Sequence, residues 1–361
     1  MTAFVGLPPF PDDVPTHGLL VVDYELIKQG DTPEIEKLWE AATKLGFWYL
    51  KNHGADNEAD AMFEMGAETM MLPLEEKLKY EQGDEGISFG YKAVGANAVD
   101  ETGALDLAEF INVSKDDALN FPSIVHRAYP SAVNARMENT IKPFIRKSVD
   151  INMTIMGIFN DKLGLPNGAL ESLHRMEEHS CSESRLIKKP PTPGIAADRQ
   201  VVGAHTDFGS LSFLHNRLGG LQVYPPGTDT WYYVKPIPGH AICNVGDALS
   251  LFSGGILRSN LHRVVNPPGT QAAFERWSLV FFSRPGNSVE LRALTDQSPL
   301  IADAVAKSSD PAKFSTGQTA RSWFMRRIKN QRIKNRTGPE TWRASRGTEH
   351  SEQHAPTAAA Y

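Results

Sequence analysis

The spacing of hydrophobic positions changes partway along the chain. In the first third they recur at helical spacing. Ile35, Leu38, Trp39, Ala42 and Leu45 follow Asp31-Thr32-Pro33-Glu34, which supplies a capping residue, a proline in the first turn and an acid near the helix N-terminus. Gly46 is placed to end that helix. Phe47 to Leu50 then reads as a short aromatic strand before the turn Asn52-His53-Gly54. Two further helices are predicted over Asn57 to Met71 and Leu74 to Lys79, separated by Pro73. Gly83 to Gly103 is rich in glycine and polar residues, with Tyr91 inside it, and reads as a loop that visits or covers a site. Ser131 to Leu163 carries one amphipathic pattern. Met137, Ile141, Phe144, Ile145 and Ile151 lie on its apolar stripe, and Pro143 marks a kink or break.

Near Arg185 the character changes. Short apolar runs follow one another between Pro/Gly turns: Val201 to Ala204, Leu211 to Leu214, Leu221 to Tyr224, Trp231 to Val234, Ala241 to Val245, Arg263 to Val265, Trp277 to Phe282. That spacing predicts an antiparallel sandwich or barrel. Beyond it the chain turns helical and basic, with Arg321, Arg326, Arg327, Lys329, Arg332, Lys334 and Arg336 in one segment. The last dozen residues read as disordered. No internal repeat is visible. The expected organisation is a helix/strand region over 1–125, a long supporting helix over 126–184, a β-rich core over 185–290, a helical segment over 291–350 and a tail over 351–361.

Composition adds bounds. The 361 residues suffice for one large domain or two small ones, and 41% hydrophobic with 22% charged residues suits a soluble chain with a sizeable core. A formal net charge of -6 gives no general pull toward nucleic acid. No apolar run approaches the roughly 20 residues that span a bilayer, so no membrane partner is expected. Met1 to Pro15 is Pro-rich and lacks a basic region followed by an apolar one, so no secretory signal is expected. Cys181 and Cys243 are too few for a disulfide framework, which makes a reducing, cytoplasmic setting the default. Nothing in the pattern sets the oligomeric state.

The candidate chemistry lies in the β-rich segment. His205-Thr206-Asp207 places an imidazole and a carboxylate on one strand face, and His262 follows later in the chain. Two imidazoles and one carboxylate form one face of an octahedral site, leaving three positions for O₂ and organic ligands, as non-haem Fe(II) chemistry needs. Zinc is the rival, since two histidines and a carboxylate with an open position also serve hydrolases. Arg276 and Ser278 share a strand face further on. A guanidinium can hold a carboxylate through two parallel hydrogen bonds, and a serine hydroxyl can add a third. This suits the distal carboxylate of a dicarboxylate such as 2-oxoglutarate. The plainer alternative is a strand arginine paired with a structural acid.

These residues resemble the isopenicillin N synthase-like branch of the Fe(II)/2-oxoglutarate-dependent dioxygenases over nearly the whole chain. The resemblance rests on Gly46-Phe47-Trp48 with Asn52-His53-Gly54, on Leu72-Pro73-Leu74-Glu75-Glu76-Lys77, and on Gly203-Ala204-His205-Thr206-Asp207-Phe208-Gly209. It continues through Gly220-Leu221-Gln222-Val223, Asn244-Val245-Gly246-Asp247 and Leu261-His262-Arg263-Val264. It implies a mainly β fold with flanking helices around a double-stranded β-helix (jelly roll). It also implies His205, Asp207 and His262 as iron ligands, Arg276 and Ser278 on 2-oxoglutarate, and O₂ as oxidant. The implied outcome is hydroxylation, desaturation or ring chemistry on a small organic molecule, in secondary metabolism first, with nucleobase or amino-acid oxidation as alternatives. One position departs. The family usually has an aromatic residue before a Pro-Pro pair on the strand leading into the core, and here Lys189 precedes Pro190-Pro191. Lys189 can bind a carboxylate as a point charge or point to solvent. Tyr91, Phe208, Tyr224, Phe282 and Trp323 are the candidates to line a substrate pocket. The rivals are an O₂-dependent iron oxidase without 2-oxoglutarate, a non-catalytic small-molecule binder, and a nucleic-acid or protein hydroxylase prompted by the basic segment.

Overall fold

Short apolar runs become strands where alternate residues face a helix layer and a cavity. The computed structural model describes residues 6–348, so the tail expected over 351–361 lies outside the described residues. In chain order the strands are β1 (Val21–Asp23), β2 (Phe47–Lys51), β3 (Gly90–Lys92), β4 (Glu109–Ser114), β5 (Glu183–Lys189), β6 (Gln200–His205) and β7 (Leu211–Asn216). They continue as β8 (Leu221–Val223), β9 (Tyr232–Tyr233), β10 (His240–Val245), β11 (His262–Val265), β12 (Arg276–Ser283), β13 (Glu290–Arg292) and β14 (Ser315–Thr319). One large sheet runs β1-β2-β10-β7-β12-β5-β4-β3, a second runs β6-β11-β8-β9, and β13 pairs with β14. Apart from the parallel β1–β2 pair, every pairing is antiparallel. Residues of both larger sheets line a shared cavity, which gives the jelly-roll core its interior.

Alternation sorts the large sheet. Leu279 and Phe281 of β12, Leu211 and Phe213 of β7, Ala241 and Cys243 of β10, and Trp48 and Leu50 of β2 join the helix-side core. Their neighbours Ser278, Val280, Phe282, Ser212, Leu214, Asn244 and Phe47 face the cavity instead. The helix-side core is completed by helix Lys142–Lys162, through Phe144, Ile145, Ile155, Met156 and Phe159. Truncating a buried aromatic here, such as Phe213, would cost about 3–5 kcal/mol.

The N-terminal reading holds closely. Helix Thr32–Lys44 starts at Asp31, whose side chain accepts the Glu34 N–H at 2.9 Å. Gly46 ends it at φ 78°, and a Cβ there would lie 1.9 Å from the Arg258 carbonyl oxygen. Helices Asp56–Met70 and Leu74–Leu78 follow. Pro143 does not kink a long helix; it sits in the first turn of Lys142–Lys162, after a π-helical turn at Met137–Ile141. The Gly83 to Gly103 stretch is not all loop: β3 lies within it and forms the edge of the large sheet. Strands β1 to β4 all belong to the sheet that carries the core strands.

Two cations of the basic C-terminal segment, Arg327 and Arg332, are buried, while Arg321, Lys329 and Lys334 stay exposed. Arg327 is fully buried and pairs with the fully buried Asp247. Arg332 pairs with Glu81 and Asp84, and Lys334 with Asp84. These charges brace helix Ala320–Gln331 and the turn after it against the rest of the protein, where a solvated face is the simplest expectation for a charge run.

Candidate active site

Strand register assembles the candidate metal-binding group. His262 on β11 is the direct partner of His205 on β6, and Asp207 lies two residues past His205. Asp207 Oδ1 is 3.6 Å from His205 Nε2 and 3.7 Å from His262 Nε2, so three donor atoms converge on one point. Each is oriented from behind. The Nδ1 of His205 lies 2.7 Å from the Gly203 carbonyl and that of His262 3.1 Å from the Asn260 carbonyl, so both rings carry their proton on Nδ1 and turn Nε2 to the centre. Asp207 Oδ2 accepts from Ser212 Oγ at 2.5 Å and Asn244 Nδ2 at 2.7 Å, which leaves Oδ1 facing the imidazoles. Burial alone would raise the Asp207 pKa; His262, His205 and Asn244 outweigh it and hold the carboxyl well below its ordinary range. Phe47 packs its edge on His262 at 5.2 Å between ring centroids. A donor set of two imidazoles and one carboxylate with open space beside it fits Fe(II).

The second part of the site is a pair of buried cations. Arg276 of β12 and Lys189 of β5 are direct partners across the two strands, and both line the cavity. Their exposures are 3% and 1%. Arg276 donates from Nε to the Gly219 carbonyl at 2.7 Å and from Nη1 to Ser278 Oγ at 2.6 Å. Lys189 Nζ donates to the Pro190 carbonyl at 2.9 Å and to Thr192 Oγ1 at 2.5 Å. Neither cation has a carboxylate partner among the described residues, so the plainer reading of Arg276 as half of a structural ion pair is not what the structure contains. Burial lowers the Arg276 pKa to about 10. Burial first, and Arg276 second, lower that of Lys189 to about 8. Two desolvated cations side by side are costly unless an anion joins them, and the opening beside them suits a carboxylate.

Comparison with known proteins gives the family. The model of the 2OG-Fe(II) oxygenase superfamily matches residues 187–285, and that of the N-terminal region of non-haem dioxygenases in morphine synthesis matches residues 19–133. A 2-oxoglutarate-dependent dioxygenase of Aspergillus fumigatus is 29% identical over 367 residues, covering 90% of this chain and 92% of that protein. A homoarginine-6-hydroxylase of Oryza sativa subsp. japonica is 32% identical over 245 residues, covering 64% of this chain and 73% of that protein. The chain belongs to the 2OG-Fe(II) oxygenase superfamily. Its fold matches that of a full-length Neurospora crassa protein crystallised in complex with alpha-KG, with a TM-score of 0.70 and 21% identity over 91% of this chain and 99% of that one. It is thus a non-haem iron, 2-oxoglutarate-dependent dioxygenase with a jelly-roll core. No helix among its described residues is long and apolar enough to cross a membrane.

The oxygenase's cavity continues beyond the cation pair. Phe110, Ile187, Val280, Phe282 and Ile328 supply apolar wall, and Arg185 and Arg284 add charge. Both guanidiniums pair with the buried Glu183, at 3.0 and 3.2 Å, and flank the Phe282 ring at 5.0 Å each. The segment Asn97 to Val99 closes one side. Gly203 permits this, because a Cβ there would sit 2.0 Å from the Val99 carbonyl oxygen. The Gly83 to Gly103 stretch thus reaches the cavity, though not through Tyr91.

Of the candidates for the substrate wall, Phe208 and Phe282 line the cavity. Tyr91, Tyr224 and Trp323 do not. Tyr91 is buried on the edge strand, where its hydroxyl donates to Glu109 at 2.6 Å. Tyr224 packs on Trp231 at 5.1 Å. Trp323 joins the helix-side core, with Arg326 over its ring at 4.6 Å. Each aromatic satisfies a structural neighbour that periodicity could not reveal. The residues missed were Ser212, Asn244, Arg185, Arg284, Asp247 and Arg327. A signal existed for two of them: Ser212 and Asn244 interrupt otherwise apolar strands, and a polar residue on such a strand needs a buried partner.

Proposed function

We propose that the oxygenase oxidises a C–H bond of a small organic molecule held in the cavity, with Fe(II) on His205, Asp207 and His262 and 2-oxoglutarate on Arg276, Ser278 and Lys189. The observation that carries this reading is the pair of buried, acid-free cations in the cavity that also holds the convergent histidines and carboxylate. When bound, iron, O₂ and 2-oxoglutarate together supply an oxidant able to attack unactivated C–H bonds, with succinate and CO₂ released.

The protein's part is placement. Ser212 and Asn244 fix the face that Asp207 offers, and the Gly203 and Asn260 carbonyls fix both imidazoles. Arg276 and Ser278, already joined at 2.6 Å, present donors to a carboxylate with little reorganisation, and Lys189 adds a point charge. Phe110, Phe208, Phe282, Ile187 and Ile328 form an apolar wall that orients a substrate body and keeps water from the reacting centre. Fungal relatives such as that of Aspergillus fumigatus fit a role in secondary metabolism.

The test is anaerobic titration of Fe(II)-loaded protein with 2-oxoglutarate, following the metal-to-ligand charge-transfer band. The band should appear in the wild type and weaken in Arg276→Gln. Absence of a band in metal-loaded wild type would refute 2-oxoglutarate as co-substrate. Substrate oxidation without matching succinate would place the chain with the O₂-only oxidases, and no iron-dependent turnover over a substrate panel would leave a binding protein.

A further inference from the structure

We propose that Asp116, His126 and His179 form a second metal site, suited to Zn(II) or a similar divalent ion. The three come from separate stretches. Asp116 lies in helix Lys115–Asn120 directly after β4, His126 in the loop beyond it, and His179 in the approach to β5. None of them lines the cavity.

The donor atoms already stand at metal-ligand spacing. Asp116 Oδ2 is 3.0 Å from His126 Nε2 and 3.3 Å from His179 Nδ1, and all three donor atoms lie within 4.8 Å of one another. Tetrahedral zinc with bonds of about 2.0–2.2 Å separates its ligand atoms by roughly 3.3–3.5 Å, so an ion would need only small side-chain shifts. The carboxylate is preset. It is buried, the Ser180 N–H donates to Oδ2 at 3.0 Å, and Lys115 takes the other oxygen at 3.0 Å. Lys115 is itself tied to the carbonyls of Met176 and Glu178 at 2.7 and 2.8 Å, which keeps it on the Oδ1 side. His126 is steadied by the Phe89 ring at 4.9 Å.

Access is open. The His179 side chain is 61% exposed and that of His126 24%, which leaves an entry path and room for a water ligand. A bound ion would join the exit of β4 to the entry of β5, which are neighbours at Ser114 and Glu183 in the large sheet. Its effect would be to clasp one end of the β4–β5 pair, with no part in the oxidation.

The experiment is Zn(II) titration of the full chain by calorimetry, with metal content measured after desalting. Wild type should take up two equivalents, one at His205, Asp207 and His262 and one here. His126→Ala and His179→Ala alter side chains with solvent access, and each should lose the second equivalent. Its affinity should fall by more than about 100-fold, beyond the 10–100-fold typical of losing an outer hydrogen-bond partner. Asp207→Ala should keep this equivalent and lose the other, which separates failure of this site from failure of the iron-centre assignment. Wild type with a single equivalent that Asp207→Ala removes, or histidine variants that still hold two, would overturn the proposal.

Discussion

Replacing Arg327 with methionine tests whether the C-terminal helix sets the geometry of the metal ligands. Arg327 is fully buried, donates to Asp247, and donates from Nη2 to the Thr206 carbonyl at 2.9 Å. Thr206 stands between two of the candidate ligands, and its hydroxyl donates to Asp247 at 3.2 Å. The Asp247 N–H in turn donates to the Asp207 carbonyl at 2.8 Å. The guanidinium also covers the Phe208 ring at 3.8 Å. One network therefore grips the backbone carbonyls of Thr206 and Asp207. Methionine keeps much of the apolar volume but strips Asp247 of its guanidinium. Removing one partner of a buried ion pair costs about 3–5 kcal/mol. Loss of an outer hydrogen-bond partner weakens metal binding by about 10–100-fold. Urea unfolding should read the first effect, and anaerobic Fe(II) titration of the folded variant the second. Adding Asp247→Asn should recover part of the lost stability, because the buried charge that Arg327 balanced is then gone. A stability loss with unchanged iron affinity would refute the positioning role, and no loss of either would refute the energetic reading of the pair.

Four further predictions follow from the site and its supports. Arg276→Gln removes a charge-assisted contact of about 1.5–3 kcal/mol, so 2-oxoglutarate affinity should fall by roughly 10- to 100-fold while Fe(II) affinity holds; unchanged affinity for 2-oxoglutarate would displace Arg276 from the co-substrate. Lys189, with its pKa lowered to about 8, binds an anion best when protonated, so 2-oxoglutarate affinity should decline as pH rises through about 8, and Lys189→Met should flatten that profile; identical profiles would show that Lys189 does not take part. Asn244→Ala should loosen Asp207 and weaken Fe(II) binding by about 10–100-fold, measured by anaerobic titration, and wild-type affinity would deny Asn244 that role. His174 is buried with Nδ1 2.8 Å from the Leu170 carbonyl and Nε2 2.6 Å from Ser210 Oγ, and burial lowers its pKa from 6.5 to about 4. The neutral form is the one that fits the fold. Its contribution of about 3 kcal/mol is thus complete above pH 6.5 and lost as pH falls toward 4; urea midpoints across that range should drop less steeply in His174→Gln, and an equal slope would contradict it.

Much of the site was legible because its chemistry is compressed into short motifs. His205 and Asp207 stand two residues apart where β6 ends, and Arg276 and Ser278 share a strand face, so spacing alone groups each pair without any fold. The strands from β6 to β12 followed from apolar runs between Pro/Gly turns, and helix Thr32–Lys44 from its cap. Tyr91, Tyr224 and Trp323 were misplaced for one shared reason. An aromatic ring fills a core, a sheet edge or a pocket equally well by composition, and only its neighbours decide which. Pro143 was ambiguous in the same way, since proline serves a first helical turn as readily as it breaks a later one.

The chain by itself determined the donor types, their local pairing and the kind of scaffold that could unite them, because these depend on residue identity and on periods of two or 3.6 residues. Tertiary structure decided the rest. Antiparallel register set His262 opposite His205 and Lys189 beside Arg276, pairings between segments far apart in sequence. Burial without an acid partner turned Arg276 and Lys189 from ordinary charged residues into a candidate carboxylate site, since a desolvated charge demands a counter-charge that a solvated one does not. The same folding drew Arg327 and Arg332 inward, where Arg327 grips the Thr206 carbonyl between two candidate ligands and Arg332 closes on Glu81 and Asp84. Charge is a property of the residue; whether it faces water, a partner or an empty cavity is a property of the fold.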